Sequence, residues 1–150
     1  MGEDRVAQHL SIFLENKPGK LERITKILAD SGINIRAFSV ASAGEYGILK
    51  VLVDDPAKAC TLLTAEKITA ACKYVLAVAV DDTPGGLHNL LIALSDNDIN
   101  IDDSYGFVLA DKATAVILLE IAETTAGEAA AVLLEKGFHL YSVQELYALP

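Results

Sequence analysis

Residues 18–35 read PGKLERITKILADSGINI, and residues 84–101 read PGGLHNLLIALSDNDINI. Aligned without a gap, they agree at eight of eighteen places: Pro18/Pro84, Gly19/Gly85, Leu21/Leu87, Leu28/Leu94, Asp30/Asp96, Ile33/Ile99, Asn34/Asn100 and Ile35/Ile101. Most of the other places stay compatible with a helix. The chain is a tandem duplication with its seam near Tyr74 to Ala77, and one fold has to serve both copies.

Working outward from these stretches, each copy shows the same order of patterns. Before the first Pro-Gly, residues 8–14 (QHLSIFL) alternate, so that Leu10, Ile12 and Leu14 share one face of a half-buried strand. After it the period changes: Leu21, Ile24, Ile27 and Leu28 recur at helical spacing. Gly32 ends that helix. NIRAFSVAS alternates again, AGEYG turns the chain and ILKVLV returns as a strand. Asp55-Pro56 then predicts a helix start, a capping residue followed by Pro at the first position, with a short helix to about Leu63. Residues 68–75 read as the last strand of copy one.

Copy two repeats the order. It has a strand at 76–81, a helix at 84–95, a strand at 101–109, a turn at Ala110-Asp111-Lys112 and a strand at 113–121. Thr125-x-x-Glu128 has capping-box spacing and predicts the next helix, and Phe138 to Val143 reads as the closing strand. The order is βαββαβ, twice. Right-handed crossovers then give the α+β, ferredoxin-like arrangement, a four-stranded antiparallel sheet with both helices on one face. The expected domains are residues 1–75 and 76–150.

Composition narrows the function classes. Of the 150 residues 52% are hydrophobic and 22% charged, a globular balance, and no apolar run approaches the ~20 residues of a membrane span. The opening MGEDRVAQ lacks a signal-peptide core, and Val6 breaks the myristoylation pattern. These features predict a soluble, cytoplasmic protein with no membrane partner. The net charge is −9 and lopsided: residues 1–75 carry 10 basic and 9 acidic side chains, residues 76–150 carry 2 and 12. Without a basic patch to displace counterions from phosphates, nucleic acid is not an expected partner.

Catalytic and metal-binding patterns are missing. His9, His88 and His139 form no metal-ligand spacing, and no Ser sits in G-x-S-x-G. Cys60 and Cys72 belong to no C-x-x-C unit and read as two reduced thiols in or near a core. In DNDINIDD (96–103), Asp96, Asp98 and Asn100 match the first three ligand positions of a calcium loop. Ile101 stands where that loop needs Gly, however, and Phe107 where it needs a bidentate Glu. No catalytic residue, metal site or cofactor is expected. The fold alone would also suit RNA binders and acylphosphatase-like enzymes. The strands ILKVLV and AVILLE lack the aromatics of the former, and the corner loops lack the phosphate-cradling arginine of the latter.

A strand, then Asn-x-Pro-Gly-x-Leu, a helix, and Gly-Ile-Asn-Ile into the second strand resembles the ACT domain, the amino-acid-sensing module of many metabolic enzymes. Copy one matches over nearly its whole length. Copy two matches except that Asp82 replaces the corner Asn and Asp98 the Gly. The resemblance is to stand-alone tandem ACT proteins, and it implies a non-catalytic sensor that binds an amino acid, forms a homodimer and controls a metabolic enzyme. An alternative it allows is a regulatory subunit of a biosynthetic enzyme such as acetohydroxyacid synthase, although those subunits pair one ACT domain with a dissimilar half. In such domains a free amino acid lies between the strand-to-helix corner of one copy and the second strand of its neighbour. The resemblance therefore places ligand contacts at Asn16, Lys17, Pro18, Gly19, Lys20, Leu21 and Asn34, and in copy two at Asp82, Thr83, Pro84, Gly85, Gly86, Leu87 and Asn100. Physically, N–H groups at a helix start favour a carboxylate, and glycine lets a ligand approach the main chain. A purely structural reading stands beside this: Pro in a first helical turn is ordinary, and Asn34 and Asn100 could simply bond the backbone. Asp82 would repel a ligand carboxylate but could hold an ammonium. Copy one, with Lys17 and Lys20 nearby, is expected to be the better carboxylate site.

Overall fold

The computed structural model describes residues 3–149, which form two compact units. One unit is Gln8–Lys73. The other runs from Tyr74 onward and includes the described residues up to Ala7.

In the first unit, β1 (Ala7–Glu15) leads into α1 (Lys20–Asp30), then β2 (Ile35–Ala43), β3 (Tyr46–Val53) and α2 (Pro56–Ala65). β3 lies antiparallel between β2 and β1, with Leu10 opposite Val51 and Phe38 opposite Val51 from the other side. The alternation read from the sequence sets the two faces. Leu10, Ile12, Leu49, Val51 and Val53 turn toward Ile24, Leu28, Ala59 and Leu63 of the helices and form a continuous buried cluster. Phe13, opposite Ile48, points the other way, and its ring stacks on Tyr46 with centroids 5.1 Å apart. Asp55 caps α2 as its sequence predicts, its carboxylate accepting from the N–H of Lys58 at 3.2 Å, with Pro56 in the first turn. Gly32, at φ +73°, ends α1.

In the second unit, β4 (Ala70–Asp81) pairs with β6 (Thr114–Glu120), and β6 with β5 (Asp103–Val108), all antiparallel. α3 (Gly86–Ser95) and α4 (Glu123–Glu135) supply Leu90, Leu94, Ala129 and Leu133 to a core with Leu76, Val78, Val80, Leu119 and Leu140. Asp98 takes the place of Gly32 and adopts the same left-handed backbone, φ +55°. Arg5 bonds the carbonyl of Leu140, which ties the segment before β1 to this unit.

The α+β, ferredoxin-like reading holds, with three corrections. Residues 68–75 and 76–81 do not form two strands: Ala70–Asp81 is one twelve-residue strand whose first residues belong to one unit and the rest to the other. No Gly, Pro, Asn or Asp lies between Thr69 and Val80 to break the extended run. Phe138 to Val143 is not a strand either. Leu140 makes a bridge to Val78, the N–H of Tyr141 donates to Ala77, and the chain then turns into α5 (Val143–Tyr147). Ser142 ends the extended part because it forms a reciprocal capping box with Glu145. Thr125 does not cap α4. That helix starts at Glu123, and the Thr125 hydroxyl donates back to the carbonyl of Ala122 from within the first turn.

Candidate functional site

Each Pro-Gly corner leaves a helix start open. Gly19 and Gly85 stand at the N-caps of α1 and α3 in the left-handed region, φ +85° and +89°, and neither helix has a side-chain cap. A residue with a Cβ takes up this conformation at a cost of about 1–2 kcal/mol, which is why glycine recurs there. The first backbone bonds inside the helices are Arg23 to the Gly19 carbonyl and Asn89 to the Gly85 carbonyl. The N–H groups of Leu21, Glu22, Leu87 and His88 therefore meet no acceptor among the described residues. By contrast, α2 and α5 in the same chain have side-chain caps, Asp55 and Ser142. α4 also lacks a side-chain cap, but it follows no Pro-Gly corner.

The corners differ in charge and in tightness. Residues 15–20, ENKPGK, carry one acid and two bases, whereas 81–86, DDTPGG, carry two acids and no base. Lys17 and Lys20 both reach Glu15, at 2.9 and 3.5 Å. The hydrogen bond from Lys17, helped by the charges of both lysines, holds the Glu15 carboxyl below the usual carboxylate range. These exposed pairs leave corner one at +1, with both lysines already partly engaged. At corner two the neighbouring turn adds Asp111, held below its usual range by the N–H groups of Ala113 and Thr114. Corner two is also closer packed. A Cβ at Gly86 would come within 2.1 Å of the Asp81 carbonyl oxygen. Lys20, its counterpart, does have a Cβ, and its N–H bond across the corner is longer, 3.3 Å to Lys17 against 3.0 Å from Gly86 to Thr83.

Asn16 has a structural task. Its side-chain amide donates to the carbonyl of Gly44 at 3.1 Å while its N–H donates to Glu45 at 2.7 Å, fastening the corner to the β2–β3 turn. Asp82 keeps only the second of these, through its N–H to Ala113, because a carboxylate has no proton to donate. Asn16→Asp is accordingly expected to face the Gly44 carbonyl with a second acceptor and to destabilise the chain by about 1–3 kcal/mol. A urea midpoint unchanged from the parent would contradict this role.

Asn34 and Asn100 lie elsewhere. Asn34 makes two bonds with Asp54, its N–H donating to the carboxylate and its carbonyl accepting from the Asp54 N–H, while its side-chain amide has no protein partner among the described residues. Asn100 uses its amide on Asp102, at 3.0 Å. Asp54 lies three residues past Val51, which faces Leu10, and Asn16 lies six residues past Leu10 in the opposite direction. At about 3.3 Å per residue, Asn16 and Asn34 of one copy are roughly 30 Å apart. One copy cannot bring them to a single small ligand.

Sequence reasoning missed the grooves beside the helices. In copy one an apolar groove of about 400 Å³ runs between α1 and β2, lined by Leu21, Thr25, Ile35, Phe38, Leu49 and Val51. In copy two a groove of about 410 Å³ follows the end of α3, with Leu91, Asp98, Asn100 and Ile101 in its wall. Thr25/Leu91 and Ile35/Ile101 are equivalent positions, so the grooves overlap in the repeat, but the first lies beside the start of α1 and the second at the end of α3. A groove of this kind exists only once the strand is placed against the helix, which the repeat does not show. Among the described residues no three His, Cys, Asp or Glu side chains gather as metal ligands, and no helix is long and apolar enough to cross a membrane.

Among solved structures, the chain is similar to protein BT0572 from Bacteroides thetaiotaomicron, with 33% identity and a TM-score of 0.87 over 97% of this chain and 98% of that one. It shares its fold with the regulatory subunit of aspartate kinase from Thermus thermophilus, at 13% identity and a TM-score of 0.63, covering 88% and 97% of the two chains. The same subunit from Thermus flavus gives 17% identity and a TM-score of 0.57 over 87% and 95%. No curated protein matches the sequence. The sequence matches the ACT domain pair over residues 5–149, nearly its entire length. Two Pro-Gly corners, two ferredoxin-like units and a match of this extent place the chain in the family of ACT domain pairs.

Proposed function

We propose that this chain is a non-catalytic sensor that binds a free amino acid and regulates a metabolic enzyme. The observation that carries the reading is the pair of open helix starts behind left-handed glycines, in a chain of this family. Free N–H groups at the positive end of a helix suit a carboxylate. The family relationship supports the amino acid as the molecule that supplies it. The ligand is held between a corner of one chain and the Asn34 or Asn100 end of a second chain. The roughly 30 Å that separates the two groups within one copy supports this arrangement.

The chain works as a homodimer in this reading. β2 pairs only with β3 among the described strands, and its exposed edge carries Phe38 at 59% and Val40 at 47% exposure. An apolar edge strand is a template for pairing with a second chain. The enzyme partner is supported by the fold shared with solved regulatory subunits of aspartate kinase.

Thermal melting against each of the twenty amino acids tests the reading. A ligand at a hundred times its dissociation constant adds about 2.7 kcal/mol, which raises Tm by roughly 5–11 °C for a chain of this size. Asn34→Ala is expected to remove most of that shift while leaving the ligand-free Tm unchanged, since its amide has no partner among the described residues. If none of the twenty moves Tm, the sensor reading fails.

A further inference from the structure

Cys60 and Cys72 are twelve residues apart in sequence, on α2 and β4, and the fold sets them against each other. Their contacts cross. The Cys60 thiol donates toward the carbonyl of Ala70, two residues before Cys72 on the same side of the strand, at 3.8 Å. The Cys72 thiol donates toward the carbonyl of Pro56, one helical turn before Cys60, also at 3.8 Å. Each sulfur thus leans onto the other's element, and both are half-buried against the core of the first unit. Burial, with the Cys60 thiol alongside, pushes the Cys72 thiol up to about 11.

The segment between the two cysteines has a task at the corner. Lys67, at φ +61°, turns the chain from α2 toward β4, and the carbonyl of Thr69 accepts from the N–H of Phe13 at 3.0 Å. Lys67, Ile68 and Thr69 form one wall of a pocket of about 170 Å³, with Lys20 and Arg23 of α1 on the other side. Whatever fixes residues 60–72 fixes that wall.

We propose that Cys60 and Cys72 form a reversible disulfide that locks the α2–β4 connection beside the corner of copy one. The oxidant is a low-molecular-weight disulfide. Cys60 loses its proton and its sulfur attacks one sulfur of the reagent, breaking the S–S bond and releasing one small thiol. The Cys72 thiol, held protonated until this stage, gives up its proton as its sulfur attacks Cys60 Sγ and releases the second small thiol. Two protein thiols and one small disulfide become one protein disulfide and two small thiols, and both electrons pass from the protein to the reagent. The bond closes a short loop, which constrains the unfolded chain.

The full chain, equilibrated in glutathione buffers of graded ratio and acid-quenched, provides the test. The expected product is about 2 Da lighter than the reduced chain, monomeric on non-reducing gels, and joins the Cys60 and Cys72 peptides after digestion. Its Tm is expected to rise by roughly 6–12 °C, and amide exchange across residues 61–71 to slow. Cys72→Ser is expected to stop at a single glutathione adduct on Cys60. Separate glutathione adducts on both cysteines of the parent, disulfide-linked dimers, or no oxidation at any ratio would each overturn the proposal. An internal bond that leaves exchange across 61–71 unchanged would overturn the locking role.

Discussion

Leu28→Ala and Leu94→Ala should each destabilise the protein by about 2–5 kcal/mol, and each should do so in its own unit. The two leucines are equivalent in the repeat and essentially fully buried, at 0% and 1% exposure. Leu28 packs with Leu10, Ile12, Leu49 and Leu63, and Leu94 with Leu76, Val78, Leu90 and Leu133, in two separate clusters. Their carbonyls do equivalent work as well. Leu28 accepts from Ser31 and Ile33 at the end of α1, and Leu94 from Asn97 and Ile99 at the end of α3. Truncation removes the transfer energy of the isobutyl group and leaves a cavity that close-packed neighbours fill only in part. Amide exchange read by mass spectrometry should therefore rise in residues 8–73 for Leu28→Ala and in residues 74–149 for Leu94→Ala. A rise of equal size in both halves for either variant would show that the two clusters do not behave as separate cores.

Gly86→Ala is expected to cost about 2–3 kcal/mol, although the added group is one methyl. The methyl would sit 2.1 Å from the Asp81 carbonyl oxygen, which is backbone and cannot rotate away, so the corner must open. Gly127→Ala is the control. It lies inside α4 with nothing within 4 Å of an added Cβ, and there alanine should stabilise by up to ~1 kcal/mol. Guanidinium midpoints of the two variants should move in opposite directions. If Gly86→Ala proves as stable as the parent, the corner of copy two is not closed as the geometry states. The same comparison bears on ligand binding, because opening this corner moves it toward the wider geometry that Lys20 imposes on copy one.

The duplication, the alternation in the strands and the helical spacing after each Pro-Gly were legible because they record local chemistry. Leu10, Ile12 and Leu14 fall on one face whatever surrounds them, and Asp55 can cap α2 from four residues of context. The misreadings came where local signals ended. Thr125 and Glu128 have capping-box spacing, but α4 starts at Glu123, and the reciprocal cap forms at Ser142 and Glu145 instead. The run from Thr69 to Val80 carries no punctuation, so one strand forms where the repeat implied two. The residues of the candidate site were named from a pattern, and the pattern is silent on distance.

By itself, the sequence determined that one ferredoxin-like unit would be built twice, with two corners of one design and opposite charge. Those properties follow from periodicity, from glycine's freedom at positive φ, and from counting charges between residues 15–20 and 81–86. Tertiary structure decided what each of those residues is free to do. It spent the amide of Asn16 on the Gly44 carbonyl and left that of Asn34 without a partner among the described residues, roughly 30 Å away along the strands. It also set Cys60 beside Cys72. Such outcomes depend on strand register and on which helix turn meets which strand pair, and these are fixed by the packing of side chains distant in sequence.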